Sequence, residues 1–255
     1  MYTVSDIVSS KIESYCRTWR MELEDTNSIL TGDKIVSASS TAQSTSLSDD
    51  IELGAVCSQS WNMTISDTET AFLGKEYDTY LYLVNYETSG ILSDEKIPMG
   101  RFTCVKSKKS GGSVQLTMAD KLYFSDKPYV PHIPMPNWNK AVEDDICRQL
   151  GLQNGNDYTE VRLLRDKHGR RLIDKNGKVL YSKYFYFKVS SVPKDVTMRQ
   201  MLSYLASAQG QFGYVDRYGK YVRKWYGKSV KTLDNNTIDL PTLSERQNAI
   251  VGIIC

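Results

Sequence analysis

Over the first 120 residues the apolar positions recur mainly at every second place, the period of a strand with one face buried. Cys57, Trp61, Met63 and Ile65 alternate with Ser58, Ser60, Asn62 and Thr64, which predicts a half-buried strand. Further strands are predicted at 79–86 (TYLYLVNY), 100–106 (GRFTCVK) and 113–118 (SVQLTM), the last two joined by a Ser-Lys-Lys-Ser-Gly-Gly hairpin loop. A short amphipathic opening precedes them, with Ser5 as N-cap and Ile7, Val8, Ile12 and Tyr15 as its apolar positions. The small, polar stretch at 37–50 (SASSTAQSTSLSDD) reads as either an exposed loop or a weakly specified edge strand.

Beyond about residue 120 the period changes. The segment KPYVPHIPMPNW holds four of the seven prolines and marks a boundary, since proline favours extended and turn backbone. A helix is predicted from about Asn139, with Trp138, Ala141, Val142, Ile146 and Leu150 at three- and four-residue spacing and Gly151 to end it. A second helix carries a capping box, Thr197 with Gln200, then an apolar face of Met198, Met201, Leu202 and Leu205, closed by Gly210. Between the helices lies the aromatic run YFYFKV (184–189), predicted as a strand. The fold class read from this pattern is α+β: an N-terminal antiparallel β-barrel-like domain, then a mixed α/β domain with two helices and β-hairpins.

Composition adds one asymmetry. The 255 residues carry a net charge of +2, yet residues 1–100 hold sixteen Asp and Glu against six Lys and Arg, a net of −10, so the remainder carries +12. Balanced overall charge gives no case for a nucleic-acid or membrane partner. Five cysteines, Cys16, Cys57, Cys104, Cys147 and Cys255, are too scattered for a zinc knuckle or a redox dithiol, and predict reduced thiols. Without a signal-peptide pattern or a long apolar run, a soluble, unexported chain is expected.

Three near-repeats invite a chemical reading: Asp166-Lys-His-Gly-Arg, Asp174-Lys-Asn-Gly-Lys and Asp216-Arg-Tyr-Gly-Lys. Asp and Gly at this spacing also begin an EF-hand loop, but its fifth and twelfth ligand positions fall on Lys178 and Phe185 counted from Asp174, and on Arg170 and Gly177 counted from Asp166. Strand-like residues flank each copy, so hairpin turns are predicted, with Asp capping its own backbone and Gly supplying positive φ. His132 and His168, the two histidines, read as loop residues. Glu143, Asp144 and Asp145 read as charge compensation near a helix N-terminus rather than acid/base catalysis. The basic, aromatic stretch 161–188, with nine Lys or Arg against two Asp, suits a solvated hairpin face or, less well, a single-stranded nucleic-acid grip. Trp225 and Tyr226 could serve a carbohydrate-binding module or an assembly interface. No phosphate-loop, dinucleotide or nucleophile-elbow motif occurs. No catalytic, cofactor-binding or metal-binding residue is assigned, and no enzymatic activity is expected.

The order IPMGRF (Ile97–Phe102), a hairpin into VQLTMADKLYFSDKPY (Val114–Tyr129), a helix, then TMRQMLSYLASAQGQFGYVDRYGKYV (Thr197–Val222) resembles the baseplate hub proteins of bacteriophage and prophage tails, kin of tail-tip proteins that carry tail-associated lysins. The resemblance implies a tube-like barrel over 1–117, an outer α/β domain with a hairpin insertion over 118–226, and the first strand of an incomplete second barrel over 227–255. In it Gly100 lets the chain pass closely by Phe102, the strand pair around Gly111 and Gly112 closes the barrel, and Asp120 caps the turn toward Leu122 and Tyr123. It further implies a structural protein of the virion tail tip, assembled in the host cytoplasm and trimeric in a full-length hub. Its partners are then distal tail proteins, with DNA only in transit; the acidic first hundred residues add the expectation that carboxylates line the lumen. The alternative within the same resemblance is the non-catalytic N-terminal part of a tail peptidase or peptidoglycan hydrolase.

Overall fold

The computed structural model describes residues 5, 6, 8, 17–25, 29–30, 32–41, 52–66, 70–85, 95–158, 161–163, 170–178, 181–183 and 187–225. Seven strands form one antiparallel sheet: β1 (Arg17–Glu24), β2 (Ile29–Leu30), β3 (Ile35–Thr41), β4 (Ser60–Ile65), β5 (Glu76–Asn85), β6 (Ile97–Ser110) and β7 (Ser113–Ala119), in the order β2-β1-β5-β6-β7-β4-β3. The predicted period-2 pattern holds: Trp61, Met63 and Ile65 of β4 are buried, as are Val114, Leu116 and Met118 of β7. They join Met21, Leu23, Phe72, Tyr77 and Phe102 in one apolar core. The polar stretch at 37–50 provides the edge strand β3, and its remainder, 42–50, lies outside the described residues.

The predicted six-residue hairpin loop is shorter. β6 and β7 run on to pair Ser110 with Ser113, leaving Gly111 and Gly112 as a two-residue turn. Gly111 has φ +59°, the positive value that matches such a turn to the right-handed twist of its strands. At Gly100 φ is +132°, and a Cβ there would lie 2.9 Å from the Phe102 ring, so the close approach expected from the sequence is present.

The expected closed barrel is not found: the sheet curls but does not close among the described residues. Seven flat strands would set β2 and β3 about 29 Å apart at ~4.8 Å per strand. Residues 31–34, which join them, span at most about 18 Å, so the sheet must bend round on itself. Closure by hydrogen bonding stops at Leu23↔Leu30 and Glu24↔Ile29, after which the chain turns at 32–34 and β3 leaves β1 to pair with β4.

The second part is built on two helices, α1 (Asn139–Leu150) and α2 (Met198–Ser207), with a 3₁₀ helix at Lys121–Asp126. Short pairs surround them: β8 (Asn137–Trp138) with β12 (Lys188–Val189), β10 (Val161–Leu163) with β11 (Tyr181–Lys183), and the hairpin of β13 (Gln211–Val215) and β14 (Lys220–Trp225), with β9 (Gln153–Asn154) parallel to β14. Of the predicted strand at 184–189 residues 187–189 are described, and Lys188–Val189 form β12. α1 ends as predicted, Gly151 adopting φ 69° while its N–H bonds to the Arg148 carbonyl. The α2 capping box is present, with the Gln200 N–H donating to Thr197 Oγ1 at 3.1 Å and the Thr197 N–H to Gln200 Oε1 at 2.9 Å. α2 stops at Ser207, so Gly210 serves the turn after it rather than the cap. The helices bury Val142, Ile146, Met201, Leu202 and Leu205 with Tyr221 in a second core.

Sheet and helices meet at residues 54–57. Their backbone runs beside β13, with Gly54 N–H to the Gln211 carbonyl at 2.7 Å, Gly213 N–H to Ala55 at 2.8 Å and Cys57 N–H to Gly213 at 3.1 Å. Val56 thereby reaches the helical core although it precedes β4. Arg199 of α2 holds the joint, donating to Asp126 Oδ1 (2.7 Å) and to the carbonyls of Val56 (2.9 Å) and Leu122 (2.7 Å).

Candidate functional site

Of the three Asp-Gly repeats, the second and third are described and both are turns. Asp174 Oδ1 accepts from the N–H groups of Asn176 and Lys178 at 2.8 Å each, and Asp216 Oδ1 from those of Tyr218 and Lys220 at 2.9 Å each. Gly177 and Gly219 take φ of 78° and 74°. These carboxylates are engaged by their own backbone, which is the capping expected of a turn. The copy at Asp166 with His168, residues 184–186 and Tyr226 lie outside the described residues, as do the side chains of 181–183 and of Trp225. His132 is exposed, and its N–H donates to Asp145 Oδ2 at 3.0 Å. Among the described residues no three His, Cys, Asp or Glu group as a metal site would require, and no helix is long and apolar enough to cross a membrane. Cys57, Cys104 and Cys147 are buried free thiols whose pKa values burial pushes up.

The acidic cluster departs from its predicted role. Because α1 begins at Asn139, Glu143–Asp145 lie beyond its first turn, and Glu143 and Asp145 are fully buried. Asp145 ties the proline segment to the helix, accepting from the Tyr129 hydroxyl and the His132 N–H at 3.0 Å each and from Gln149 Nε2 at 3.1 Å. Glu143 meets Arg223, with Oε2 3.0 Å from the guanidinium, and also accepts from Asn156 Nδ2 and the Tyr158 hydroxyl. The other guanidinium hydrogen bonds go to Gln211 Oε1 (3.0 Å), the Tyr158 hydroxyl (3.0 Å), the Leu205 carbonyl (3.4 Å) and Gln209. Burial pushes the Glu143 carboxyl up and Arg223 beside it pulls it back. Each charge is enclosed and matched, so this arrangement cross-links α1, the 154–158 loop and the β13–β14 hairpin. Arg223, Asn156 and Tyr158 were not singled out from the sequence, since nothing local connects residues up to 80 positions apart.

Asp120 is the N-cap expected, with Oδ1 accepting from the Leu122 N–H at 3.0 Å. It also reaches across the joint to the Ser58 hydroxyl and the Gln59 N–H, at 2.8 Å each. Burial pushes its carboxyl from 3.8 up to about 6, with those hydrogen bonds opposing. A raised carboxyl favours folding most while protonated: the contribution is complete below pH 3.8 and is lost as pH rises through about 6. Chemical denaturation of the natural protein and Asp120→Asn at several pH values should therefore show the natural protein losing about 3 kcal/mol relative to the variant between pH ~4 and ~7. A difference that stays flat across that window would rule the coupling out.

The surface feature with a shape of its own is the split in the curled sheet. Beyond the two-residue pairing with β2, the backbone edge of β1 from Arg17 to Glu22 has no strand partner among the described residues, and neither has the outer edge of β3. A groove of about 400 Å³ lies between them, lined by Trp19, Met21, Ile35, Val36, Ala38 and Leu81 among others. Trp19 opposes buried Leu83 across β1 and β5, and Ala38 and Ser40 oppose buried Met63 and Trp61 across β3 and β4, so all three point to the core side. They are nevertheless exposed, Trp19 by 44%, because none of the described residues covers the split. Arg20 Nη2, 2.6 Å from Asp33 Oδ1, clips its narrow end.

The sequence matches no protein-family model and no curated protein. Among solved structures, the chain is similar to the 43 kDa tail protein of prophage MuSo2 from Shewanella oneidensis, with 12% identity, a TM-score of 0.42, and coverage of 83% of this chain and 57% of that one. The chain thus spans less than two thirds of that protein's length. At this identity and TM-score the likeness decides neither fold nor function.

Proposed function

We propose that this chain is a structural, non-enzymatic component of a phage or prophage tail, acting at the tail tip as a baseplate hub between the tail tube and distal parts. The observation that carries the assembly role is the split in the sheet: two strand edges without a strand partner among the described residues flank a groove with apolar lining, a surface suited to joining protein to protein. The buried titratable groups support the same reading, since Glu143, Asp145 and Arg223 are enclosed in packing and are not presented to a substrate. The tail assignment itself rests on the resemblance of Ile97–Phe102, Val114–Tyr129 and Thr197–Val222. These segments supply β6, β7 with the 3₁₀ helix, and α2 with its hairpin, the last two of which are clamped together by Arg199. On this reading a full-length hub is a trimer, and DNA passes only through its lumen. Carboxylates of the acidic N-terminal hundred residues would face that lumen and repel phosphates.

The test is location. Particles purified from the source organism should contain the chain by mass spectrometry, and antibody to it should place gold label at the tail tip. Absence from particles, or label on the head, would reject the assignment.

A further inference from the structure

We propose that the joint between the sheet and the helical part carries a binding site for a phosphate-like oxyanion, in a cavity of about 200 Å³ between β5, β6, the 3₁₀ helix, β9 and the β13–β14 turn. The cavity shares no residue with the split in the sheet, and the site does not rest on the assembly reading.

Its walls come from both parts of the molecule. Glu76 opens β5 and Arg101 lies in β6, whereas Lys121 starts the 3₁₀ helix, Gln153 starts β9, and Tyr218 and Gly219 turn the hairpin from β13 to β14. The turn comes close to the sheet: a Cβ at Gly219 would stand 3.6 Å from that of Arg101. The space is smaller than the roughly 300–1,000 Å³ of pockets that take drug-sized ligands, so its occupant is small.

The chemistry of the lining selects an anion. Arg101, Lys121, Gln153 and Tyr218 all carry N–H or O–H donors, and Glu76 is the one carboxylate among the described residues that line the cavity. Both cations are paired without being used up. Arg101 donates to Asp78 through Nε at 2.8 Å and Nη2 at 2.7 Å, which leaves Nη1 without a partner among the described residues. Lys121 gives one of its three ammonium hydrogens to Glu76. The side chains of Gln153 and Tyr218 have no hydrogen-bond partner among the described residues. Charge by itself does not decide, because Asp78 and Glu76 balance Arg101 and Lys121. Donors are what the cavity has in excess. A tetrahedral ion with several acceptor oxygens can meet donors arriving from four segments, where a planar carboxylate offers two oxygens. Lys121 would then divide between Glu76 and the ligand, so Glu76 competes with the ligand for it. An anion held this way ties β6 to the 3₁₀ helix and the hairpin turn, bracing the joint at a place other than residues 54–57.

The test is calorimetric titration of the 255-residue chain with inorganic phosphate at constant ionic strength, with glycerol phosphate and acetate as parallel arms. Phosphate and glycerol phosphate should bind with dissociation constants of about 1 mM or below, and acetate should not. The tighter of the first two tells whether the ligand is the free ion or a phosphate ester, and either order supports the site. Arg101→Gln and Lys121→Gln should each weaken phosphate binding by about tenfold, the loss of one charge-assisted hydrogen bond. Glu76→Gln should tighten it by about threefold, through release of Lys121. The side chains of Arg101 and Glu76 are 56% and 44% exposed, so neither substitution threatens the fold. Their opposite signs also separate the site from the general stabilising effect of phosphate on folded proteins. Three results would overturn the proposal. The first is no heat of binding and no rise in melting temperature up to about 10 mM phosphate. The second is phosphate binding that none of the three substitutions changes, which would put the anion elsewhere. The third is acetate binding as tightly as phosphate, which would make this a carboxylate site.

Discussion

Arg223→Ala should destabilise the helical part by about 3–5 kcal/mol, the cost of leaving a buried charge without its partner. The side chain of Arg223 is 1% exposed and that of Glu143 is fully buried, so water cannot take over from the missing guanidinium. The acceptors left behind include Glu143, Gln211 and the Tyr158 hydroxyl. For a chain of this size a loss of that order lowers the melting temperature by roughly 10 °C. The double variant Arg223→Met, Glu143→Met should recover most of it, since replacing both members of a buried ion pair by apolar residues is often close to neutral. Thermal unfolding followed by circular dichroism of the singles and the double gives the coupling directly. A single-variant loss below about 1 kcal/mol would show that the pair contributes little and the apolar core alone holds the unit.

Gly213→Ala is expected to be damaging too, though less so, for a steric reason. A Cβ at Gly213 would lie 2.4 Å from the Tyr221 hydroxyl oxygen and 2.9 Å from its ring carbons. Tyr221 is fully buried in the helical core and has little room to withdraw. The Gly213 backbone is held too, by hydrogen bonds to Ala55 and Cys57 across the joint. Overpacking at such a place costs about 1–3 kcal/mol. The buried Tyr221 hydroxyl has no hydrogen-bond partner among the described residues, so Tyr221→Phe alone should be neutral or slightly stabilising. Combined with Gly213→Ala it should restore part of the loss by removing the closest atom. Urea unfolding of the three variants tests this. Equal losses for Gly213→Ala with and without Tyr221→Phe would mean the backbone, not the hydroxyl, sets the limit.

Much of the local structure was legible because its causes are local. Thr197 and Gln200 make their capping box within four residues, Gly151 ends α1 at its own φ, and Asp174 and Asp216 close their turns through N–H groups two and four positions on. The alternation in β4 and β7 exposed their buried faces in the same way. The acidic cluster misled because neighbouring charges were read against the helix they sit on, whereas Glu143 answers to Arg223, 80 residues later. Closure was misjudged for a related reason. Alternation reports which face is buried but not which edges meet, and the turn at 32–34 sends β3 to β4 in place of β1.

By itself, then, the sequence determined β4 to β7, both helices, the Thr197–Gln200 capping box, the Gly151 end and the two described Asp-Gly turns, since each depends on periodicity or on hydrogen bonds a few residues long. Only the tertiary structure decided that Glu143 and Arg223 share one enclosed site, that residues 54–57 bind the sheet to the helices, and that the curled sheet is left split between β1 and β3. Those outcomes depend on which distant segments meet in space, and no spacing along the chain encodes that.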